Sequence, residues 1–372
     1  MIQGYATFEG TLEYAKSFLD KKEFFVEHEN KVFSKLGLGT FNKEPYKEEN
    51  YLFNYIDAVS TALKNGINFI DTAINYRYQQ SEKEIGYILG EMIENGEIKR
   101  ENFIIASKGG FIPLEYPFPD NPYHWIRDNI LLLNLCQESD IELDQHCISE
   151  DFLEYSLNKS LENLGLETID IYFLHNPEVQ LGSKTKEELL EAIKKAFIVF
   201  EKAVNDGKIK SYGVATWNGF INDKGFIEYL SLGDIYDVAL SVAGDKHHFK
   251  YIQVPFNLAK THIYTMPTQT YQGADYTVVE LAYKLGLGVI SSSSLLQMNL
   301  FKKSFNANVG YILDKDMELS SDIQLALQFV RSTPNIISSL FASKNGEHIL
   351  HNLEISKIKS TPKKLYDLMY RV

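Results

Sequence analysis

Short stretches in which most residues are apolar or β-branched recur along the chain. Between them the apolar residues thin out to every third or fourth position. The dense stretches are 31–39 (KVFSKLGLG), 67–73 (INFIDTA), 102–108 (NFIIASK), 169–175 (IDIYFLH), 209–216 (IKSYGVAT), 251–257 (YIQVPFN), 287–293 (LGVISSS) and 335–343 (NIISSLFAS). Each has the length and composition of a strand, and the intervening spacing is helical. Over 81–96, Ile85, Ile88, Leu89 and Met92 share one face; over 149–165, Leu153, Leu157, Leu161 and Leu164 do the same. Ser149 suits the start of that second helix and Gly165 its stop. Alternating strands and helices predict an α/β fold with a parallel sheet and its helices outside. Eight strands are also the number that closes a (β/α)₈ TIM barrel, though strand count alone does not separate a barrel from an open sheet.

Three regions depart from this rhythm. Residues 1–30 precede the first strand and read as a helical N-terminal extension, and 359–372 read as a C-terminal tail. The long connection 109–150 after the third strand carries Phe111, Tyr116, Phe118, Tyr123 and Trp125 beside Pro113, Pro117, Pro119 and Pro122. Loops of that length are usually functional or disordered, and the prolines predict a stiff, extended course. Its root lies directly after Lys108. It reads either as a wall of the reaction site, with Tyr116 or Trp125 over the reacting centre, or as an inert insertion on the rim. Residues 260–275 are polar and Thr-rich and read as irregular. No Pro/Gly/Ser-rich linker divides the chain, so 31–358 reads as a single domain.

Composition narrows the partners. The 372 residues exceed the roughly 250 of a typical barrel, but insertions extend that range. The net charge is −13 and no dense Lys/Arg block appears, which argues against a nucleic-acid partner. Two cysteines, Cys136 and Cys147, are too few for a disulfide framework and read as incidental thiols of a cytoplasmic protein. The N-terminus lacks the basic start and apolar core of a secretory signal, and no apolar run approaches the ~20 residues of a membrane span. Nothing in the sequence specifies an oligomeric state.

In a closed α/β barrel the reacting groups sit at the C-terminal ends of the strands. The second strand ends in Asp71, with Tyr76 five residues on (DTAINY); the third ends in Lys108 (IIASKGG); the fourth ends in His175 (DIYFLHNP). Taken singly, Asp71 also reads as a helix cap, Lys108 as its surface partner and His175 as a core histidine; together the four converge. This set resembles the catalytic tetrad of the aldo/keto reductases. LGLGT (36–40), KIKSYGVATWN (208–218), IQVPFN (252–257) and ASKNGEHILHNL (342–353) resemble further segments of that family, so that the resemblance covers about 31–355.

The resemblance implies an oxidoreductase that passes a hydride from NADPH to a carbonyl, or the reverse from an alcohol, with Tyr76 as general acid. Free tyrosine, with a pKa near 10, is a weak donor at neutral pH, and a nearby cation stabilises its phenolate. Lys108 is expected to supply that cation, held by Asp71 through a charge-assisted hydrogen bond. Neutral His175 is expected to orient the carbonyl oxygen. The resemblance places the cofactor against Gly39, Thr40, Phe41, Asp71, Thr216, Gln253, Ser291, Ser292, Ser293 and Leu295, with its phosphate at Ser343, Lys344, His348 and Asn352. Lys344 favours a 2′-phosphate, hence NADPH over NADH, and an adjacent helix N-terminus would add amide donors.

The chain departs from the family in three places. Ala215 and Thr216 stand where Ser-Asn is common. Ser291–Ser294 stand where an aromatic often stacks on the nicotinamide. Lys344 and His348 stand where Arg is frequent. These leave room for a second reading, a cofactor-binding regulatory protein or subunit with little turnover. A barrel hydrolase or lyase lacks a metal or nucleophile constellation. His247-His248 has no acidic or Cys partners in view and reads as a solvated loop rather than a metal site. The Gly109-Gly110-Phe111 run lacks the spaced glycines of a dinucleotide loop.

Overall fold

The computed structural model describes residues 1–21, 23–41, 54–302, 307–313 and 318–370. Eight parallel strands close a barrel: β1 (Leu36–Gly39), β2 (Phe69–Asp71), β3 (Ile104–Gly109), β4 (Ile169–His175), β5 (Ile209–Ala215), β6 (Phe249–Pro255), β7 (Gly288–Ser292) and β8 (Ile336–Phe341). Each strand pairs with its successor, and β8 returns to β1 through Ser339 opposite Leu36. The barrel helix after each strand is, in turn, α1 (Ile56–Lys64), α2 (Gln80–Glu94), α3 (Glu150–Leu164), α4 (Lys186–Asn205), α5 (Leu232–Ala243), α6 (Val278–Lys284), α7 (Asp322–Ser332) and α8 (Gly346–Leu353). The ambiguity between barrel and open sheet is thereby resolved in favour of the (β/α)₈ barrel. Among the described residues, no helix is long and apolar enough to cross a membrane.

The period of two along each strand sorts the core into two parts. Inward side chains such as Phe69, Ala106, Ile171, Phe173, Tyr251 and Ile290 pack together inside the barrel. Their neighbours Ile70, Ile105, Tyr172, Leu174, Ile252 and Val289 face outward into the larger core beneath the helices. On α3, Leu153, Leu157, Leu161 and Leu164 are all buried, and Gly165 ends the helix in the left-handed region at φ 63°. The hydroxyl of Ser149 does not cap the helix; it donates to the Leu135 carbonyl at 3.1 Å.

Three expectations need correction. The run 31–39 is not one strand. Lys31–Ser34 pairs antiparallel with Phe25–His28, so the extension carries a helix (Phe8–Lys16) followed by half of a hairpin. Phe33 plugs the barrel floor, its ring 5.5 Å from Phe69 and 6.0 Å from Tyr251. Both pieces are apolar and no turn residue marks the break at Lys35, so periodicity ran them together.

The connection after β3 is not an extended strap either. Pro122 opens a helix (Pro122–Ile126), where a missing N–H is tolerated, and the chain continues through a wider turn to Leu131. Ile112, Ile126, Ile130, Cys136, Cys147 and Phe152 form a small core of its own. The Thr-rich stretch holds a short helix (His262–Thr265) and a hairpin of Gln269–Tyr271 with Ala274–Tyr276.

Candidate active site

The same alternation that fills the barrel delivers its polar residues. Asp71, Lys108, His175 and Gln253 stand two residues beyond Phe69, Ala106, Phe173 and Tyr251, which pack inside the barrel. They are therefore the inward positions at the C-terminal ends of β2, β3, β4 and β6. Burial forces them to satisfy one another. The Lys108 ammonium donates to Asp71 Oδ1 at 2.6 Å, Asp71 Oδ2 at 2.8 Å and the Thr72 carbonyl at 2.7 Å. Gln253 Nε2 donates to Asp71 Oδ2 at 2.9 Å.

Tyr76 arrives from the turn after β2. Arg77, Tyr78 and Gln79 follow it in the left-handed region at φ 48°, 52° and 70°, a conformation unfavourable for side-chain-bearing residues. Tertiary contacts hold the turn: Arg77 is paired with Glu84 on α2, and Gln79 Nε2 donates to the Pro113 carbonyl at 2.6 Å. The Tyr76 ring then lies 5.0 Å from Lys108 Nζ and 5.9 Å from the His175 ring, with Phe41 5.2 Å away on its rim.

Electrostatics refine the expected roles. Burial pushes the Asp71 carboxyl up and the Lys108 ammonium down, and their mutual attraction opposes both shifts. Their short hydrogen bonds favour the ion pair. Burial also holds the Tyr76 phenol well above its ordinary value, and the Asp71 charge adds to that. The expectation that Lys108 lowers the phenol is not met here. Its ammonium donates to Asp71 Oδ1, Asp71 Oδ2 and the Thr72 carbonyl, and none of its hydrogen bonds goes to the phenol. Burial, then the Lys108 charge and His146, holds His175 well below 6.5, so its imidazole is neutral.

One cavity of about 600 Å³ opens over these groups. Gly39, Phe41, Asp71, Tyr76, His175, Thr216, Gln253, Ser292, Ser293 and Leu295 all line it. Others are placed elsewhere. The inward place on β7 beside Ile290 is Ser292, so alternation turns Ser291 away; its hydroxyl donates to Ser339 Oγ at 2.8 Å. Thr40 is buried behind the site and donates to the Asp71 carbonyl at 3.1 Å. The Thr216 hydroxyl donates to Glu178 Oε1 at 2.6 Å and accepts from the Gly219 amide at 2.8 Å, so its donor is committed within the protein.

Ser343, Lys344, His348 and Asn352 lie after β8, outside the cavity lining. Ser343 Oγ donates to the Asn345 carbonyl at 3.1 Å. Lys344 lines a separate shallow recess, His348 is exposed and Asn352 is buried.

Sequence reasoning missed Asn75, Gln145, Asn176 and Trp217 on the cavity wall and misjudged the connection's aromatics. Phe111 lines the cavity, its ring 4.9 Å from His175; Tyr116 and Trp125 do not line it. Asn75 stood inside a motif already singled out, but Gln145 comes 37 residues after Lys108 with no local signal. Asn75 Oδ1, His175 Nδ1 and Ser294 Oγ belong to residues lining this cavity. They are buried and have no hydrogen-bond partner among the described residues. Buried polar atoms are nearly always paired, so these three leave the cavity wall with hydrogen-bonding capacity that the protein does not use itself.

Comparison with known proteins bears on the fold and the family. Aldose reductase B of Dictyostelium discoideum is 32% identical over 197 residues, 49% of this chain and 50% of that protein. The horse aldo-keto reductase family 1 member C23 is 22% identical over 352 residues, 84% of this chain and 95% of its own. The first curated relatives are thus matched over about half their length. Among solved structures, an aldo-keto reductase from Klebsiella pneumoniae in complex with NADPH has a TM-score of 0.60 at 17% identity, covering 92% of each chain. A thermostable aldo-keto reductase with the inhibitor epalrestat has a TM-score of 0.59 at 18% identity, covering 93% of this chain and 98% of its own. The profile of the Aldo/keto reductase family matches residues 35–311, most of the barrel, and the chain belongs to that family.

Proposed function

We propose that this chain is an NADPH-dependent carbonyl reductase that interconverts an aldehyde or ketone with its alcohol, with Tyr76 as the general acid. The observation that carries the reading is the buried Asp71–Lys108 pair beneath Tyr76 and His175, in a cavity ringed by three orphaned polar atoms. A bound nicotinamide cofactor supplies the hydride. Gly39, Phe41, Gln253, Ser292, Ser293 and Leu295 would hold its nicotinamide half. Ser343, Lys344, His348 and Asn352 would take the far phosphate, with Lys344 meeting the 2′-phosphate of NADPH.

Tyr76 donates its proton to the carbonyl oxygen as the carbon is reduced, and takes it back in the reverse direction. Neutral His175 donates a hydrogen bond to the same oxygen and orients the substrate. Asp71 keeps Lys108 fixed beneath the phenol, and Gln253 holds Asp71. Phe111 packs on His175 and excludes water from it. The expected partner is a small carbonyl compound or alcohol, and the buried free thiols Cys136 and Cys147 suit a cytoplasmic location.

The test is loss of NADPH absorbance with a panel of aldehydes, sugars and ketones, on the protein and on Tyr76→Phe. The variant should lose roughly 10²–10⁴ in rate while its NADPH dissociation constant hardly moves. Unchanged turnover in Tyr76→Phe sinks the mechanism. NADPH binding without turnover on any compound would leave the subunit reading, which the committed Thr216 hydroxyl favours.

A further inference from the structure

The place where the far phosphate would dock is already held by a carboxylate. Helix α8 starts at Gly346 with Asn345 as its cap, directly after Lys344. Its first amide, Gly346 N–H, donates to Asp57 Oδ2 at 2.8 Å. Asp57 reaches it from the first turn of α1, where Thr61 Oγ1 donates to its other oxygen at 3.4 Å. Both helices begin at the barrel face that carries the active site. Asp57, Thr61, Lys344, Asn345 and Glu347 line one shallow recess. The approach depends on glycine, because a Cβ at 346 would stand 2.8 Å from Asp57 Oδ2 and 2.6 Å from Thr61 Oγ1.

A phosphate at a helix N-terminus needs free amides and an uncompensated positive dipole. Here one amide and part of that field are taken by a negative charge. A 2′-phosphate must displace Asp57 or sit beside it, and like charges in contact repel. A plain ribose 2′-hydroxyl meets the opposite situation, since it donates to a carboxylate.

We infer that Asp57 is a specificity-determining residue: it holds down the affinity for the 2′-phosphate against the pull of Lys344, so that the chain accepts NADH as well as NADPH. The inference rests on the nicotinamide reading above and sharpens its cofactor choice.

Dissociation constants for NADPH and NADH, and for 2′-phospho-ADP-ribose and ADP-ribose, measured by calorimetry on the full chain, test it without turnover. Asp57→Asn keeps the size and the acceptor for Gly346 N–H and removes the charge. It should tighten NADPH and 2′-phospho-ADP-ribose roughly ten-fold and weaken NADH and ADP-ribose by about two- to five-fold, since the ribose hydroxyl then meets a neutral acceptor. Glu94→Gln, in the last turn of α2 at the opposite barrel face, removes the same charge and should change nothing. Asp57→Ser, checked by thermal melting, serves if the Asn variant fails to fold. An unchanged ratio of the two nucleotides, or weaker NADPH, in a folded Asp57 variant overturns the inference while the nicotinamide reading stands. If neither nucleotide binds the unaltered protein, both fall.

Discussion

At the scale of the residue, Lys108 has almost no freedom. Its ammonium is fully buried, with Asp71 and the Thr72 carbonyl around it. Lys108→Met leaves the Asp71 carboxylate buried beside the phenol with only Gln253 as donor. Removing one partner of a buried pair costs about 3–5 kcal/mol. We expect reduction to fall by at least two orders of magnitude and the melting temperature to drop. A variant with normal turnover would remove Lys108 from the mechanism.

The same scale sets the pH dependence. A group whose pKa is raised stays protonated until high pH, so Tyr76 keeps its proton through neutrality and beyond. His175, lowered, stays neutral down to well below 6.5. Carbonyl reduction should therefore be flat between about pH 6 and 9. Alcohol oxidation, which needs the phenolate, should still be rising at the top of that range. A reduction profile falling with a midpoint near 7 would contradict this. The four residue types, three of them at strand ends and Tyr76 in the turn after one, were legible from sequence. The partners of each proton were not, because Gln253 reaches Asp71 across 182 residues of chain.

At the scale of the element, the connection after β3 supplies part of the cavity wall. Its outgoing and returning limbs pair through Phe111 and His146. His146 Nδ1 faces Gln180 Nε2, a donor, at 3.0 Å, so the opposite nitrogen donates to the His175 carbonyl at 2.7 Å. Burial pushes His146 down to about 4, which keeps this arrangement intact at neutral pH. The limbs carry Phe111 and Gln145 to the cavity, while the 113–125 portion lies further out over a second hollow of about 450 Å³.

Two outcomes follow at this scale. Phe111→Ala should raise KM for bulky carbonyls and loosen His175, lowering kcat. Replacing 113–125 by a Gly/Ser bridge should raise KM and broaden substrate choice with cofactor affinity nearly constant. Unaltered kinetics across a substrate panel, in a folded variant, would reduce the connection to packing. Proline and aromatic content marked this stretch as unusual. Which aromatic meets the reacting centre depended on the pairing of limbs 35 residues apart, and local spacing carries no record of that.

At the scale of the whole molecule, the barrel works because its floor is closed and its roof is open. Phe33 is fully buried and fills the floor between Phe69 and Tyr251. Phe33→Ala should cost about 3–5 kcal/mol of stability, the range for truncating a buried aromatic, seen as a lower melting temperature. Catalytic constants at 25 °C should hold, because the hairpin lies at the end opposite the site. A variant as stable as the parent would show that the plug is redundant.

The sequence by itself determined the alternation of strands and helices, and with it the class of fold. It also placed three candidate residues at strand ends and Tyr76 five residues beyond one, because burial periodicity and strand-end polarity are local properties of the chain. Only the tertiary structure decided that the sheet closes, that Lys31–Ser34 folds under it, and that Ser291 faces away from the cavity. It alone set Asp57 against the first amide of α8. These depend on register and on contacts between residues as far apart as Asp57 and Gly346, whose energies exist only once the barrel has brought them together.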